Sequence, residues 1–155
     1  MADATTYMRR CLELAAVAAR AGDTAVGALI VRGDDVVAEG VERTRAAGDP
    51  SAHAEVEAIR RACKQLGTLD LRGCVLYSTV EPCVLCGYAI RQTGIGHVVY
   101  GAPAGQAGAC SSSYAILLDP DLDGWQPVTR VTGGVLADEC LAALKRIGTV
   151  APPEA

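Results

Sequence analysis

The sequence predicts an α/β fold: a three-layer α/β/α sandwich around a mixed five-stranded sheet. Three observations lead there. Helical and strand-like periods alternate along the chain. No internal repeat, linker or low-complexity segment interrupts them. Only one pair of strands is adjacent, joined by Gly33-Asp34. Strands separated by helices pair in parallel through right-handed crossovers, with helices on both faces, while a hairpin adds an antiparallel pair.

The elements follow in order. Residues 5–21 place Met8, Cys11, Leu12, Ala15 and Ala18/Ala19 at helical spacing, and Gly22 stops the helix. Residues 25–32 and 35–41 are strand-like runs around the Gly33-Asp34 turn. Residues 53–66 have helical period, with Val56, Ile59, Cys63 and Leu66 on one face and Gly67 closing it. Residues 73–79 read as a buried strand, 83–92 as a helix opened by Pro82, and 97–100 as another strand. Residues 111–118 suggest a short helix and 127–132 a strand. Ala137–Ile147 form a last helix, acidic in its first turn and basic in its last, as the helix dipole favours. The order is α-ββ-α-β-α-β-α-β-α.

The length of 155 residues suits one domain over 1–150 with a short tail at 151–155. With 50% apolar and 21% charged residues, a disordered chain is excluded. No apolar run approaches the roughly 20 residues of a membrane span. The start, MADATTYMRRCLELAAVAARAG, lacks the order of a signal peptide, so a soluble, cytoplasmic protein is expected. The formal net charge of −4 weighs against holding nucleic acid chiefly through its phosphates. Seven cysteines, an odd count, argue against a disulfide framework. Cys11, Cys63, Cys74 and Cys140 read as buried small apolar residues.

Chemistry concentrates in His53-Ala54-Glu55 and Pro82-Cys83-Val84-Leu85-Cys86. Cys83 and Cys86, at i and i+3, share a helix face in the first turn, where backbone N–H groups and the dipole favour thiolate. His53 opens its own helix. Two helix starts can thus converge and deliver one nitrogen and two sulfurs. Three ligands leave a fourth tetrahedral position open, the pattern of a catalytic zinc. Glu55 can reach the same point beyond the helix end and move a proton there. The competing reading of a lone CxxC is a thioredoxin-like redox motif, which does not require the upstream HAE. His97, in a strand without ligand spacing, reads as structural.

These motifs resemble the cytidine deaminase superfamily of zinc hydrolases, whose signature is H-x-E…P-C-x-x-C. The resemblance covers nearly the whole chain. Ala25-Val26-Gly27-Ala28 is similar to that superfamily's first-strand motif, which makes Val26 a candidate substrate contact. Asp49–Val56 is similar to bacterial guanine deaminases and tRNA adenosine deaminases; Ile95–Gly101 and Leu136–Cys140 are similar to the tRNA enzymes. The resemblance implies a cytidine deaminase-like fold, a homodimer, zinc on His53, Cys83 and Cys86, and Glu55 as proton shuttle. It also places the Ala54 N–H and the Glu81 carbonyl at the attacking oxygen and the leaving amine. The Glu81 side chain reads as structural or solvated.

One departure stands out. Where the relatives carry asparagine in G-x-N, this chain has Gly40-Val41-Glu42. Ionised glutamate only accepts hydrogen bonds, so in a pocket Glu42 would select an N–H-rich ligand edge; the alternative is a solvated Glu42 paired with Arg43 or Arg45. Tyr114 is a candidate to stack on a base, with core packing the competing role. Trp125 reads as a packing anchor or dimer contact. From Asp119 onward there are six acidic and three basic residues, without the basic rim a tRNA enzyme would show. The expected function is zinc-dependent deamination of a guanine- or cytosine-like base, nucleoside or related heterocycle. The alternative is adenosine deamination in a tRNA anticodon loop, and a third reading is a zinc-stabilised binding module without turnover.

Overall fold

The computed structural model describes residues 2–122 and 127–145. Its elements are α1 (Ala4–Arg20), β1 (Gly27–Arg32), β2 (Asp35–Val41), α2 (Thr44–Ala47), α3 (Ala54–Leu66), β3 (Cys74–Val80), α4 (Val84–Thr93), β4 (His97–Ala102), a 3-10 turn (Gly105–Ala107), β5 (Arg130–Thr132) and α5 (Ala137–Lys145). The sheet order is β2-β1-β3-β4-β5. β1 runs antiparallel to β2 and β3, whereas β3, β4 and β5 are parallel.

Alternation along β1 builds two cores, because successive side chains point to opposite faces. Ala28 and Ile30 face Ala54, Ala58 and Ala62 of α3 and Ile90 of α4. Leu29 and Val31 face Met8 and Cys11 of α1 and Cys140 of α5. The result is the expected sandwich, with α1 and α5 in one outer layer and α3 and α4 in the other. All seven cysteines are unpaired, and Cys11, Cys74 and Cys140 are buried as expected. No helix among the described residues is long and apolar enough to cross a membrane.

Several local expectations are corrected. Residues 111–118 are turns, not a helix. Serines there divert the backbone: the Ser112 hydroxyl donates to the Gly108 carbonyl and accepts from the Tyr114 N–H at 3.0 Å. Buried Arg91 then holds the Ile116 and Asp119 carbonyls at 2.6 and 2.9 Å. The strand expected at 127–132 is only Arg130–Thr132. Pro82 lies outside α4, whose N-cap is Cys83. The short α2 was not expected; buried Asp23 makes it by accepting from the Arg45 and Ala46 N–H groups at 2.7 and 3.2 Å. Trp125, residues 146 and 147 of the expected last helix, and the tail at 151–155 lie outside the described residues.

The seating of α3 positions the site. Ala54, Ala58 and Ala62 have no exposed surface, so this helix lies close against the sheet. A Cβ on Gly40 of β2 would sit 2.1 Å from the Ala54 carbonyl oxygen and 2.6 Å from the Ala58 nitrogen. Gly40→Ala is therefore expected to cost about 2 kcal/mol by overpacking. A lowered urea midpoint at unchanged slope, with reduced zinc retention, is the expected readout.

Candidate metal centre

The site sits at the carboxyl ends of the parallel strands β3 and β4, beside the start of β1 and the end of β2. His53 is the N-cap of α3 and Cys83 the N-cap of α4; neither uses its side chain to cap its helix. Both side chains are therefore free to turn toward one point. Cys86, one turn into α4, is fully buried and completes the set. His53 Nδ1 lies 3.5 Å from Cys83 Sγ and 3.5 Å from Cys86 Sγ. The two sulfurs are 3.8 Å apart.

These separations match one small tetrahedral ion. With Zn–S near 2.3 Å and Zn–N near 2.0–2.1 Å, tetrahedral angles give S···S of about 3.8 Å and S···N of about 3.5–3.6 Å. The charges point the same way. Hydrogen bonding from Cys86 and His53 outweighs burial and holds the Cys83 thiol down at about 4. The hydrogen bond with Cys83 lifts His53 to about 9. Cys86 is pushed far up by Cys83 beside it and by burial. Cys83 is thus held as a thiolate beside the Cys86 thiol, whose proton a metal would displace, and the donor set of one imidazole and two sulfurs suits zinc. Among the described residues, His53, Cys83 and Cys86 are the group arranged to hold a metal.

Glu55, on the first turn of α3, is 4% exposed. Its Oε1 accepts from the Ser78 hydroxyl of β3 at 2.8 Å, and Cys86 Sγ lies 3.5 Å from its Oε2. Burial raises its pKa to about 7. Such a carboxyl group can take and return a proton near neutral pH.

A pocket of about 250 Å³ opens beside these groups. It lies below the roughly 300–1,000 Å³ of drug-sized sites, which suits a single small ring system. Of the sequence candidates, Val26, Glu42, His53, Glu55, Glu81 and Cys83 line it. Thr24, Val80 and Ala104 join them without having been anticipated. Glu42 is buried and lines the pocket; no ion pair links it to Arg43 or Arg45 among the described residues. Its Oε2 accepts from the Ala54 N–H at 3.2 Å, so the amide assigned by resemblance to the attacking oxygen is already donated. Burial raises the Glu42 pKa. Tyr114 is 63% exposed, which corrects the core-packing role; it stands outside this lining, beside Gly105, Gln106 and Ser111–Ser113. His97 is elsewhere, 2.9 Å from the Thr132 hydroxyl and 2.9 Å from Arg130.

The Glu81 side chain is structural rather than solvated. Its Oε1 accepts from the Ala104 N–H at 3.1 Å and the Ser111 hydroxyl at 2.5 Å. Its Oε2 accepts from the N–H groups of Cys110 and Ser111 at 3.1 and 2.8 Å. Burial works against ionisation, but the Ser111, Cys110 and Ala104 donors outweigh it and hold the pKa at about 2. Ala109 N–H also donates to the Pro82 carbonyl at 2.9 Å. The loop at 104–111 is thus bound to the turn that carries Cys83.

Comparison with known proteins places this site in a family. Residues 1–102 match the family described as the cytidine and deoxycytidylate deaminase zinc-binding region. The chain belongs to that family. The matched segment contains His53, Glu55, Cys83 and Cys86. The tRNA-specific adenosine deaminase of Aquifex aeolicus is 36% identical over 117 residues, covering 76% of this chain and 78% of that one. The guanine deaminase of Bacillus subtilis is 44% identical over 86 residues, 55% of each chain. A structure solved in work on A-to-I editing by tRNA:A34 deaminases superposes with a TM-score of 0.84 at 34% identity, covering 90% of this chain and 99% of that one. The tRNA(Ile)-lysidine synthase of Deinococcus radiodurans matches 90% of this chain at 39% identity, but this chain spans only 24% of its length. This deaminase-family chain is therefore a zinc-binding domain, and its sheet and helices match those of deaminase structures.

The clasp at Glu81 is open to direct test. In Glu81→Gln the side-chain nitrogen cannot accept, so at least one buried backbone N–H loses its partner. Amide hydrogen exchange at residues 104, 110 and 111 is expected to rise more than about tenfold, since a charge-assisted hydrogen bond contributes roughly 1.5–3 kcal/mol. Exchange in α1, far from the clasp, should not change.

Proposed function

We propose that this chain is a zinc-dependent hydrolytic deaminase of an amino-substituted nucleobase, nucleoside or related heterocycle, guanine- or cytosine-like, releasing ammonia and the keto product. The observation that carries the reading is the buried Glu55 carboxyl group set against a His-Cys-Cys ligand group at the floor of a small pocket. Zinc held there supplies a water activated at neutral pH. The overall change adds water at the amine-bearing carbon and expels that amine as ammonia. Glu55 serves it by accepting a proton on one carboxylate oxygen and delivering it to the ring nitrogen next to that carbon. Ser78, bonded to the other oxygen, fixes the carboxylate plane. Val26 and Val80 give the ring apolar walls. A zinc-stabilised module without turnover would have no use for Glu55 in this place.

A second reading keeps the chemistry and changes the substrate to adenosine in a tRNA anticodon loop. What favours it is the match over 90% of this chain to the structure from work on tRNA:A34 deaminases and over 76% to the Aquifex relative. What opposes it is the net charge of −4 and a pocket lining without lysine or arginine. A homodimer and a cytoplasmic location, implied by the resemblance and the soluble composition, belong to the same proposal; mass in solution tests the first.

The deciding experiment is ammonia release by the zinc-loaded protein. Substrates are guanine, cytosine, adenine, their nucleosides and an anticodon stem-loop RNA. Turnover of a free ring or nucleoside is expected; turnover of the RNA alone would move the assignment to the second reading. Glu55→Gln should lower kcat by about 10²–10⁴-fold or more with zinc content and melting profile preserved. Undiminished kcat would remove Glu55 from the proton-transfer role.

A further inference from the structure

Glu42 is the pocket carboxylate that the deamination chemistry leaves unused. It is 7% exposed, and its Oε2 is tied to the Ala54 N–H at the start of α3. There the first-turn amides and the helix dipole favour a negative charge. Two arginines lie within three residues along the chain, yet neither pairs with it among the described residues. The pocket it faces holds Glu55 and Glu81 as well, and no lysine or arginine. Away from the metal group, a ligand entering this pocket meets carboxylate acceptors and no lysine or arginine that could pair with a phosphate.

We propose that Glu42 is a specificity-determining residue, whose carboxylate accepts from N–H donors on the ring edge it faces. The site then takes unphosphorylated rings that carry a ring N–H or a second amine beside the one removed. Guanine, isocytosine and diaminopurines have this edge; cytosine offers mainly acceptors there. A ring N-methylated analogue loses the donor without changing the reacting amine. A phosphate on the ligand adds like charge to an acidic pocket. This inference rests on the deaminase reading above, which supplies the reacting amine.

The test joins turnover with binding. Ammonia release is measured for guanine, isocytosine and cytosine with the zinc-loaded wild type and Glu42→Gln. Ligand-induced melting shifts of the same rings, of an N-methylated guanine and of a guanosine monophosphate are measured on Glu55→Gln, alone and combined with Glu42→Gln. The Gln carbonyl can still accept the Ala54 N–H, and zinc content checks the site. The expected result is a loss of about 10–100-fold in kcat/KM for guanine and isocytosine and a much smaller one for cytosine. Melting shifts should favour guanine over its N-methylated and phosphorylated forms only while Glu42 is present. Equal losses for all three rings, or a preference unchanged by the substitution, would overturn the role of Glu42 and leave the deaminase reading standing. Absence of ammonia from every substrate, with the binding preference present and dependent on Glu42, would overturn the deaminase reading instead. If Glu42→Gln fails to fold, the melting shifts on Glu55→Gln decide. Equal shifts from guanine, its N-methylated form and its monophosphate would then sink the proposal.

Discussion

Four carboxylates are buried at one end of the sheet: Asp23, Glu42, Glu55 and Glu81. Burying such groups is costly unless each finds donors, and here no described salt bridge supplies them. Backbone amides and hydroxyls do so instead. Asp23 gathers the amides that start α2, Glu42 takes the first amide of α3, and Glu81 gathers those of the loop at 104–111. Each of these three acids therefore holds a stretch of chain that ordinary strand or helix pairing leaves unsupported. The mouth of the pocket is built from these attachments rather than from apolar packing, which lies deeper, in the two cores flanking the sheet.

The same demand sorts the acids chemically. Glu81, surrounded by converging donors, stays ionised well below the ordinary carboxylate range. Glu55 has the Ser78 hydroxyl and an otherwise dry setting, and its pKa rises to about 7. Two of the three glutamates lining this pocket thus divide into a permanently charged brace and a group able to exchange its proton. The metal ligands follow a related economy. His53 and Cys83 occupy N-cap positions without capping, so each helix start presents its side chain to the shared point and not to its own backbone.

Much of this was legible in the sequence because it is local. The Gly33-Asp34 turn, the apolar strand-like run of β1 and the helical period after His53 are carried by neighbours in the chain. The HAE and PCVLC motifs place their ligands by helix starts, so two short segments were enough to anticipate the metal group. What stayed hidden depends on long-range partners. Glu81 donates nothing to the sequence pattern, since its partners lie 23 to 30 residues onward. Ser78 reads as one more residue in a buried strand until α3 brings Glu55 over it. The segment 111–118 suggested a short helix, but Ser112 and the claim of Glu81 on Ser111 redirected its backbone. Tyr114 was then carried to the surface with it. Glu42 could be named but not placed, because its position depends on α3 docking at Gly40.

The span between Glu81 and Ser111 also sets an order in time. Thirty residues separate the acid from its most distant partner. At about 5–20 residues per second, the ribosome needs roughly 1.5–6 seconds to deliver them. The hairpin β1–β2 and the two ligand-bearing segments have by then already been synthesised. A growing chain at that stage carries all three ligand residues but not yet the loop that braces the Cys83 turn. Its most strongly acidic glutamate faces water until the last partner emerges.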